Sequence, residues 1–261
     1  MKVGFLGAGN MGGALARAAA KTEKFEILLF DRDAEKAAAL AESIGAASVD
    51  CDTLASECDV IFLGVKPNII PTAIDSIKGL VKKEALIVSM AAATDIKKVE
   101  DCFGGAVKVI RIMPNTPAAV GEGMILYAAN GEARADIPTF LEIMSCAGVC
   151  DELDERLIDA AACISGCGPA FAYMFAEALA DGGVACGLPR DKALLYAAKT
   201  VKGAAEVILR TGEHPEALKD AVCSPGGTTI EGVHALEEGA FRATAENAVI
   251  AAYKKTLLMK K

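Results

Sequence analysis

The apolar positions of this chain follow two rules, one in each half. In the first half, short apolar runs alternate with segments whose apolar residues recur every third or fourth position. Residues 2–6, 26–30, 46–49, 58–65, 85–90 and 107–113 read as strands. An Ala-rich segment ending near Lys21 and residues 33–44, 53–57, 69–80 and 96–103 read as helices, with Asp33 as a cap. Residues 123–128 and 148–151 make two more strands, separated by a helix at 137–147. Strands that alternate with helices imply a parallel sheet covered on both faces. From Asp154 onward the strand pattern stops, and 157–165, 170–183, 190–210, 215–222, 230–238 and 240–259 read as helices. The expected fold is an α/β domain over residues 1–153, followed by an all-α domain over 154–261.

The first strand runs into Gly7-Ala8-Gly9-Asn10-Met11-Gly12 and then a helix. This is G-x-G-x-x-G in the strand–turn–helix setting that gives it meaning. Gly7 allows the tight turn, Gly9 lets a pyrophosphate approach the backbone, and Gly12 lets helix and strand pack closely. The second strand ends at Asp31, an acid at the spacing from the glycines that a ribose-binding residue requires. The domain therefore reads as a Rossmann-type NAD(P)-binding fold. Arg32 beside Asp31 leaves the cofactor open: the carboxylate suits the ribose of NAD, the guanidinium a 2′-phosphate. Ligands of such sheets bind beyond the carboxyl ends of the strands. The expected dinucleotide contacts are accordingly Leu6, Gly7, Ala8, Gly9, Asn10, Met11, Asp31, Arg32, Val65, Lys66, Pro67, Ala91, Ala93 and Asn115.

The second half carries one stretch that stands apart: Cys223-Ser224-Pro225-Gly226-Gly227-Thr228-Thr229-Ile230-Glu231-Gly232. Pro225 ends what precedes it, and the glycines let the backbone approach a ligand. Thr228 or Thr229 is the expected N-cap of the helix that follows. Free N–H groups at a helix start attract anions, so a small carboxylate is expected here, on Gly226, Gly227 and Thr228. The helix from Ala170 is apolar nearly all round, with only Glu177 and Asp181 charged. Such a helix must be buried on most sides. A small helical domain cannot do that alone, which points to a homodimer.

Composition narrows the partners. Hydrophobic residues make up 53% and charged residues 24%, so the chain folds. A net charge of −8 without a basic run argues against nucleic acid. Nine cysteines form no C-x-x-C pair and only two histidines are present, so no metal site is expected. The cysteines read as small core residues of a cytoplasmic protein. The apolar run at the N-terminus is too short for a signal peptide, with Asn10 and Arg17 following. Residues 160–176 are uncharged, but Gly166, Gly168 and Pro169 interrupt them, and they fall short of a membrane span.

A dinucleotide site together with an anion-binding loop suggests hydride transfer involving a small acid. An alcohol substrate would need a general base. Ser165-Gly166-Cys167-Gly168-Pro169 supplies none, and Lys219, Asp220, His214 and His234 read as surface or capping residues. A protonated imine removes the need, since it is already electrophilic. The site then needs orientation, a hydrogen-bonding group at nitrogen, for which Thr229 Oγ is suited, and a carboxylate anchor.

Over essentially its whole length the chain resembles the pyrroline-5-carboxylate reductases. The resemblance is carried by the glycine loop, Val65-Lys66-Pro67, Met113-Pro114-Asn115-Thr116-Pro117, Ser165 to Ala170, His214 to Asp220 and, most specifically, Val222 to Ile230. It implies reduction of 1-pyrroline-5-carboxylate to L-proline by NAD(P)H, the last step of proline biosynthesis. It also implies a dimer through the helical domain, often assembled into larger rings. The turn would hold the substrate carboxylate, with Val222, Ser224, Gly226, Gly227 and Thr228 binding substrate and Thr229 facing the imine nitrogen. The family usually takes NADPH. Asp31 departs from the small polar residue common there and leaves NADH admissible. Cys167 stands where Ser is frequent. A 3-hydroxyacid dehydrogenase-like enzyme is one rival, but residues 168–183 lack the Lys it needs. The other is a non-enzymatic NAD(P)-binding redox sensor, which would require an interaction tail.

Overall fold

A computed structural model describes residues 1–259. The chain divides into two compact units: Met1–Cys167 with the terminal segment from Tyr253, and Gly168–Ala252.

The first unit opens with β1 (Lys2–Leu6), α1 (Asn10–Ala20), β2 (Glu26–Phe30), α2 (Ala34–Ile44), β3 (Ala47–Ser48) and α3 (Cys51–Glu57). It continues through β4 (Val60–Leu63), α4 (Ile70–Ile77), β5 (Leu86–Ser89), α5 (Ile96–Phe103) and β6 (Lys108–Met113). It closes with β7 (Gly123–Ala129), α6 (Ile137–Met144), β8 (Gly148–Glu152) and α7 (Glu155–Ser165). The sheet order is β3-β2-β1-β4-β5-β6-β7-β8. The chain reverses its direction of strand addition between β1 and β4, the place where such folds bind ligands.

The apolar alternation explains why the sheet is covered twice. Val3 and Phe5 of β1 join Val60 and Phe62 of β4 in one core layer, where Phe5 and Phe62 stack at 4.5 Å. Leu6, Ile61 and Leu63 point the other way, into a layer with Ile70, Ile74 and Ile77 of α4. Strands apolar on both faces suit only a sheet buried on both faces. Asp33 caps α2 as expected: its Oδ1 accepts from Lys36 N–H at 3.1 Å.

One expectation fails. The sheet is not wholly parallel, because β7 runs antiparallel to β6, with β8 parallel to β7. The reason lies in the connection. Residues 114–122 contain only a short 3₁₀ turn, Thr116–Val120. A parallel crossover needs about a dozen residues or more, so the chain can only fold back on itself.

The helical sequence begins at α7, but that helix packs on the sheet. Arg111 of β6 is fully buried and its guanidinium pairs with Asp159 and Glu155 of α7. Glu155 Oε1 also accepts from Ile96 N–H, at the start of α5, at 2.7 Å. A buried ion pair of this kind fixes one docking of the helix, since any other leaves a charge buried alone.

The second unit holds α8 (Gly168–Ala185), α9 (Arg190–Thr211), α10 (Pro215–Val222) and α11 (Thr228–Glu238). The last helix, α12 (Phe241–Met259), starts in this unit and ends in the first. The core of the unit is thin: Ala180, Ala193 and Ala197, with Val184 packed against them. As expected of so small a helical domain, one chain does not bury α8 on most sides. Ala180 is its one buried residue, while Tyr173, Met174 and Leu179 are exposed.

The expectation that residues 160–176 are too short to span a membrane is corrected in its length alone. By length and composition, Glu155–Ala185 is apolar enough to cross a bilayer, because α7 and α8 follow one another almost without a break. Its first part is packed on the sheet through Ile158, Asp159 and Cys163. Packing within one chain accounts for that first part, while α8, the second part, is left largely exposed.

Candidate functional site

Chemistry-bearing residues gather at two places, one in each unit. In the first unit, the turn after β1 enters α1 with Gly9 as N-cap and without a side-chain cap. The first N–H groups of α1 are therefore left for a ligand. A Cβ at Gly12 would lie 2.2 Å from the Gly7 carbonyl oxygen, so only glycine lets the helix sit this close to the strand. A Cβ at Gly9 would meet nothing within 4 Å, leaving open space where a pyrophosphate would lie.

A cavity of about 620 Å³ opens beside this loop, lined by Leu6, Gly7, Gly9, Asp31, Arg32, Val65 and Lys66 of the expected set. Asn68, Thr72 and Ser76 line it too, and sequence reasoning missed them. The signal was present: polar residues spaced by four, just past a strand end, share one helix face. Cys51 completes that wall, its Sγ 3.7 Å from Ser76 Oγ. Ala8 and Asn10 belong to a neighbouring hollow of about 410 Å³ with Arg17 and Lys36.

The remaining expected contacts lie elsewhere on the rim. Pro67 starts a short 3₁₀ turn, and Met11 is half-buried on α1. Ala91 is buried, and Ala93 is held at φ 53°, a left-handed conformation unusual for a residue with a side chain. Asn115 is buried and works as a tie. Its Oδ1 accepts from Met124 N–H and its Nδ2 donates to Ser165 O, both at 2.9 Å, so it holds the end of α7 against β7.

In the second unit, Ser224-Pro225-Gly226-Gly227 forms a turn closed by Gly227 N–H donating to Ser224 O at 3.0 Å. Gly226 takes φ 65°, the left-handed value that a Pro-Gly turn demands. α11 then begins at Thr228 with Gly227 as N-cap and without a side-chain cap. Two expectations are corrected here. Neither threonine caps the helix, because the turn places the extended residue one position earlier, at Gly227. The Gly227 N–H is also not free for an anion, since it closes the turn. The N–H groups of Gly226, Thr228 and Thr229 remain, with both threonines exposed to solvent. Val222, the last residue of α10, is exposed beside them.

Two basic groups near this turn, His214 and Lys219, are engaged. His214 caps α10, its Nδ1 accepting from Glu216 N–H at 3.2 Å. Lys219 pairs with Glu216 at 2.8 Å and with Asp220 at 3.2 Å, which raises its pKa above the ordinary lysine value. Arg242 and then Lys219 hold the Glu216 carboxyl down at about 2. His234 is exposed on α11.

The cysteines are less uniform than expected. All nine are free; Cys58 and Cys163 are buried, Cys186 is exposed, and the rest are half-buried. Burial pushes the Cys58 thiol up to about 12 and the Cys150 thiol up to about 11, far from reactive thiolates. Among the described residues, no group of three or more His, Cys, Asp and Glu side chains could hold a metal ion.

A glycine loop at the switch point of a doubly wound sheet, joined to a helical unit whose α11 starts without a side-chain cap, is the arrangement expected of a nicotinamide-dinucleotide-dependent oxidoreductase. Two family models match: "Pyrroline-5-carboxylate reductase dimerisation" over residues 155–259, and "NADP oxidoreductase coenzyme F420-dependent" over residues 2–93. The chain is 40% identical to the pyrroline-5-carboxylate reductase of Escherichia coli, covering 98% of this chain and 97% of that one. It is 40% identical to the soybean (Glycine max) enzyme, covering 97% and 94%. Among solved structures, the Plasmodium falciparum pyrroline carboxylate reductase with NADP bound superposes with a TM-score of 0.90 at 33% identity, covering 100% and 98%. The chain belongs to the pyrroline-5-carboxylate reductase family. Its helical unit is a self-association region, which accounts for the apolar surface it exposes.

Proposed function

We propose that this protein reduces 1-pyrroline-5-carboxylate to L-proline with NADPH, in the cytoplasm, as a homodimer that assembles into a ring of dimers. One observation carries the chemistry. Around the Ser224–Thr229 segment, His214 caps a helix and Lys219 is ion-paired, while backbone N–H groups stay free at the start of α11. Such a place suits an anion better than it suits moving a proton from an alcohol, and that favours an imine acid over a hydroxyacid. The reduced nicotinamide, when bound, supplies the hydride. Gly226, Thr228 and Thr229 N–H groups hold the substrate carboxylate. Thr229 Oγ hydrogen-bonds the ring nitrogen and fixes the face of the C=N bond that is presented.

NADPH is favoured over NADH by charge. Arg32 in the larger cavity and Lys36 in the neighbouring hollow offer two cations for a 2′-phosphate. Asp31 opposes it with a single negative charge, its two oxygens each accepting a backbone N–H. The test is cofactor oxidation by purified protein with 1-pyrroline-5-carboxylate, once with NADPH and once with NADH. Turnover with both, faster with NADPH, is expected. A folded protein that binds cofactor and turns over with neither would favour the sensor or hydroxyacid readings instead.

A further inference from the structure

We infer that Asp31 is a positioning residue for the glycine-rich loop, and that this role outweighs any part it takes in choosing between NADH and NADPH. The inference rests on the dinucleotide-binding reading of this loop and not on the identity of the imine.

The geometry is specific. Asp31 follows the last residue of β2, and its Oδ2 accepts from Ala8 N–H at 2.7 Å. Ala8 sits between Gly7 and Gly9, at the centre of the turn that must receive the pyrophosphate, and it is buried. The other oxygen, Oδ1, accepts from Asp33 N–H at 3.0 Å, which anchors the carboxylate to its own turn at the start of α2. The carboxylate thus bridges two loops that follow adjacent parallel strands, β1 and β2. Gly7 N–H donates to Phe30 O at 2.7 Å and adds a second link between the same two loops.

An ionised carboxylate has about four lone-pair sites, and the strongest claim on them is made by groups fixed in the fold before any ligand arrives. Here each oxygen already holds a backbone N–H, and one of those belongs to the pyrophosphate loop itself. Hydrogen bonds to an ionised acceptor are shorter and stronger than neutral ones. Without this bond the Ala8 N–H is buried and unpaired, and the loop must move to satisfy it. Movement there displaces the N–H groups at the start of α1, which serve the pyrophosphate common to both cofactors. The penalty therefore falls on NADH and NADPH alike.

The experiment measures binding of NADH and of NADPH by fluorescence, without imine, for the wild type, Asp31→Ala and Asp31→Asn. The inference expects both affinities to fall about tenfold or more in Asp31→Ala, with their ratio held within about threefold. Asp31→Asn should recover part of the loss, because its carbonyl oxygen can still accept from Ala8 N–H while the bond from Asp33 N–H is given up. A ratio that moves about tenfold toward NADPH, with NADPH affinity kept, would make Asp31 a ribose reader and overturn the inference. Hydrogen exchange at Ala8 in the wild type gives a measurement independent of the variants' folding: the amide should be protected, and rapid exchange would equally overturn it. Because no imine is present, failure here leaves the proposed reaction standing. Failure of turnover with intact cofactor binding would leave the Asp31 inference standing.

Discussion

The sheet unit and the helical unit solve the burial problem in opposite ways. The sheet unit encloses two aliphatic layers, with Phe5, Leu29 and Phe62 on one side and Ile61, Leu63 and Ile74 on the other, all fully buried. The helical unit buries three alanines and leaves Tyr173, Met174, Leu195 and Leu209 exposed, the last at 79%. The first therefore carries its stability within one chain. The second has its large side chains on the outside, where a second copy can cover them. The difference shows that a helix apolar all round need not be a core helix of its own chain.

The largest expected effect lies in the first unit. Phe62→Ala removes one partner of the 4.5 Å ring stack and should cost about 3–5 kcal/mol, read by urea unfolding. A loss far smaller would mean the layer tolerates a cavity, and the contrast between the units would weaken. The matching change in the second unit is Leu195→Glu combined with Leu209→Glu. Charges placed on a face that becomes buried should weaken self-association on the order of 100-fold, read by sedimentation, with NADPH affinity kept. Unchanged sedimentation would mean that another face makes the dimer.

Thr229→Ala sharpens the division of labour. Turnover should fall about 10- to 100-fold, the scale of one lost transition-state hydrogen bond, while cofactor affinity stays as it was. Equal turnover would remove Thr229 from the chemistry. The smallest effect concerns pH. The Glu216 carboxyl is held at about 2 by Arg242 and Lys219, below its ordinary 4.5. A depressed carboxyl contributes stability above its unfolded pKa and loses it as the pH falls through the folded one. The thermal-midpoint gap between wild type and Glu216→Gln should therefore be full above pH 4.5 and close as the pH falls to about 2. The effect is modest because the ion pairs are exposed. A gap that persists at the acid end would assign the variant's effect to packing.

Much of this was written in local pattern. The strands Lys2–Leu6 and Glu26–Phe30, the helix Ile96–Phe103 and the helix Pro215–Val222 have the bounds their apolar periodicity and breakers imply. The glycine loop was legible because Gly12 answers to a steric demand that one residue type alone meets. Less visible were the long-range partners: Ala8 for Asp31, Ser165 for Asn115 and Asp159 for Arg111, each 23 or more residues away along the chain. Asn115 read as a cofactor contact from its place on the rim, yet its amide ties two elements together.

By itself the sequence determined the order of elements, the glycine loop, the Pro-Gly turn and the family, because each depends on residue type and near neighbours. The tertiary structure alone decided the commitment of the Asp31 carboxylate to Ala8 N–H, the tie from Asn115 to Ser165 O and the docking of α7 by Arg111. Those outcomes turn on where a polar group finds its partner once water is excluded. That partner is set by how strands and helices pack, and not by any residue close to it in the chain.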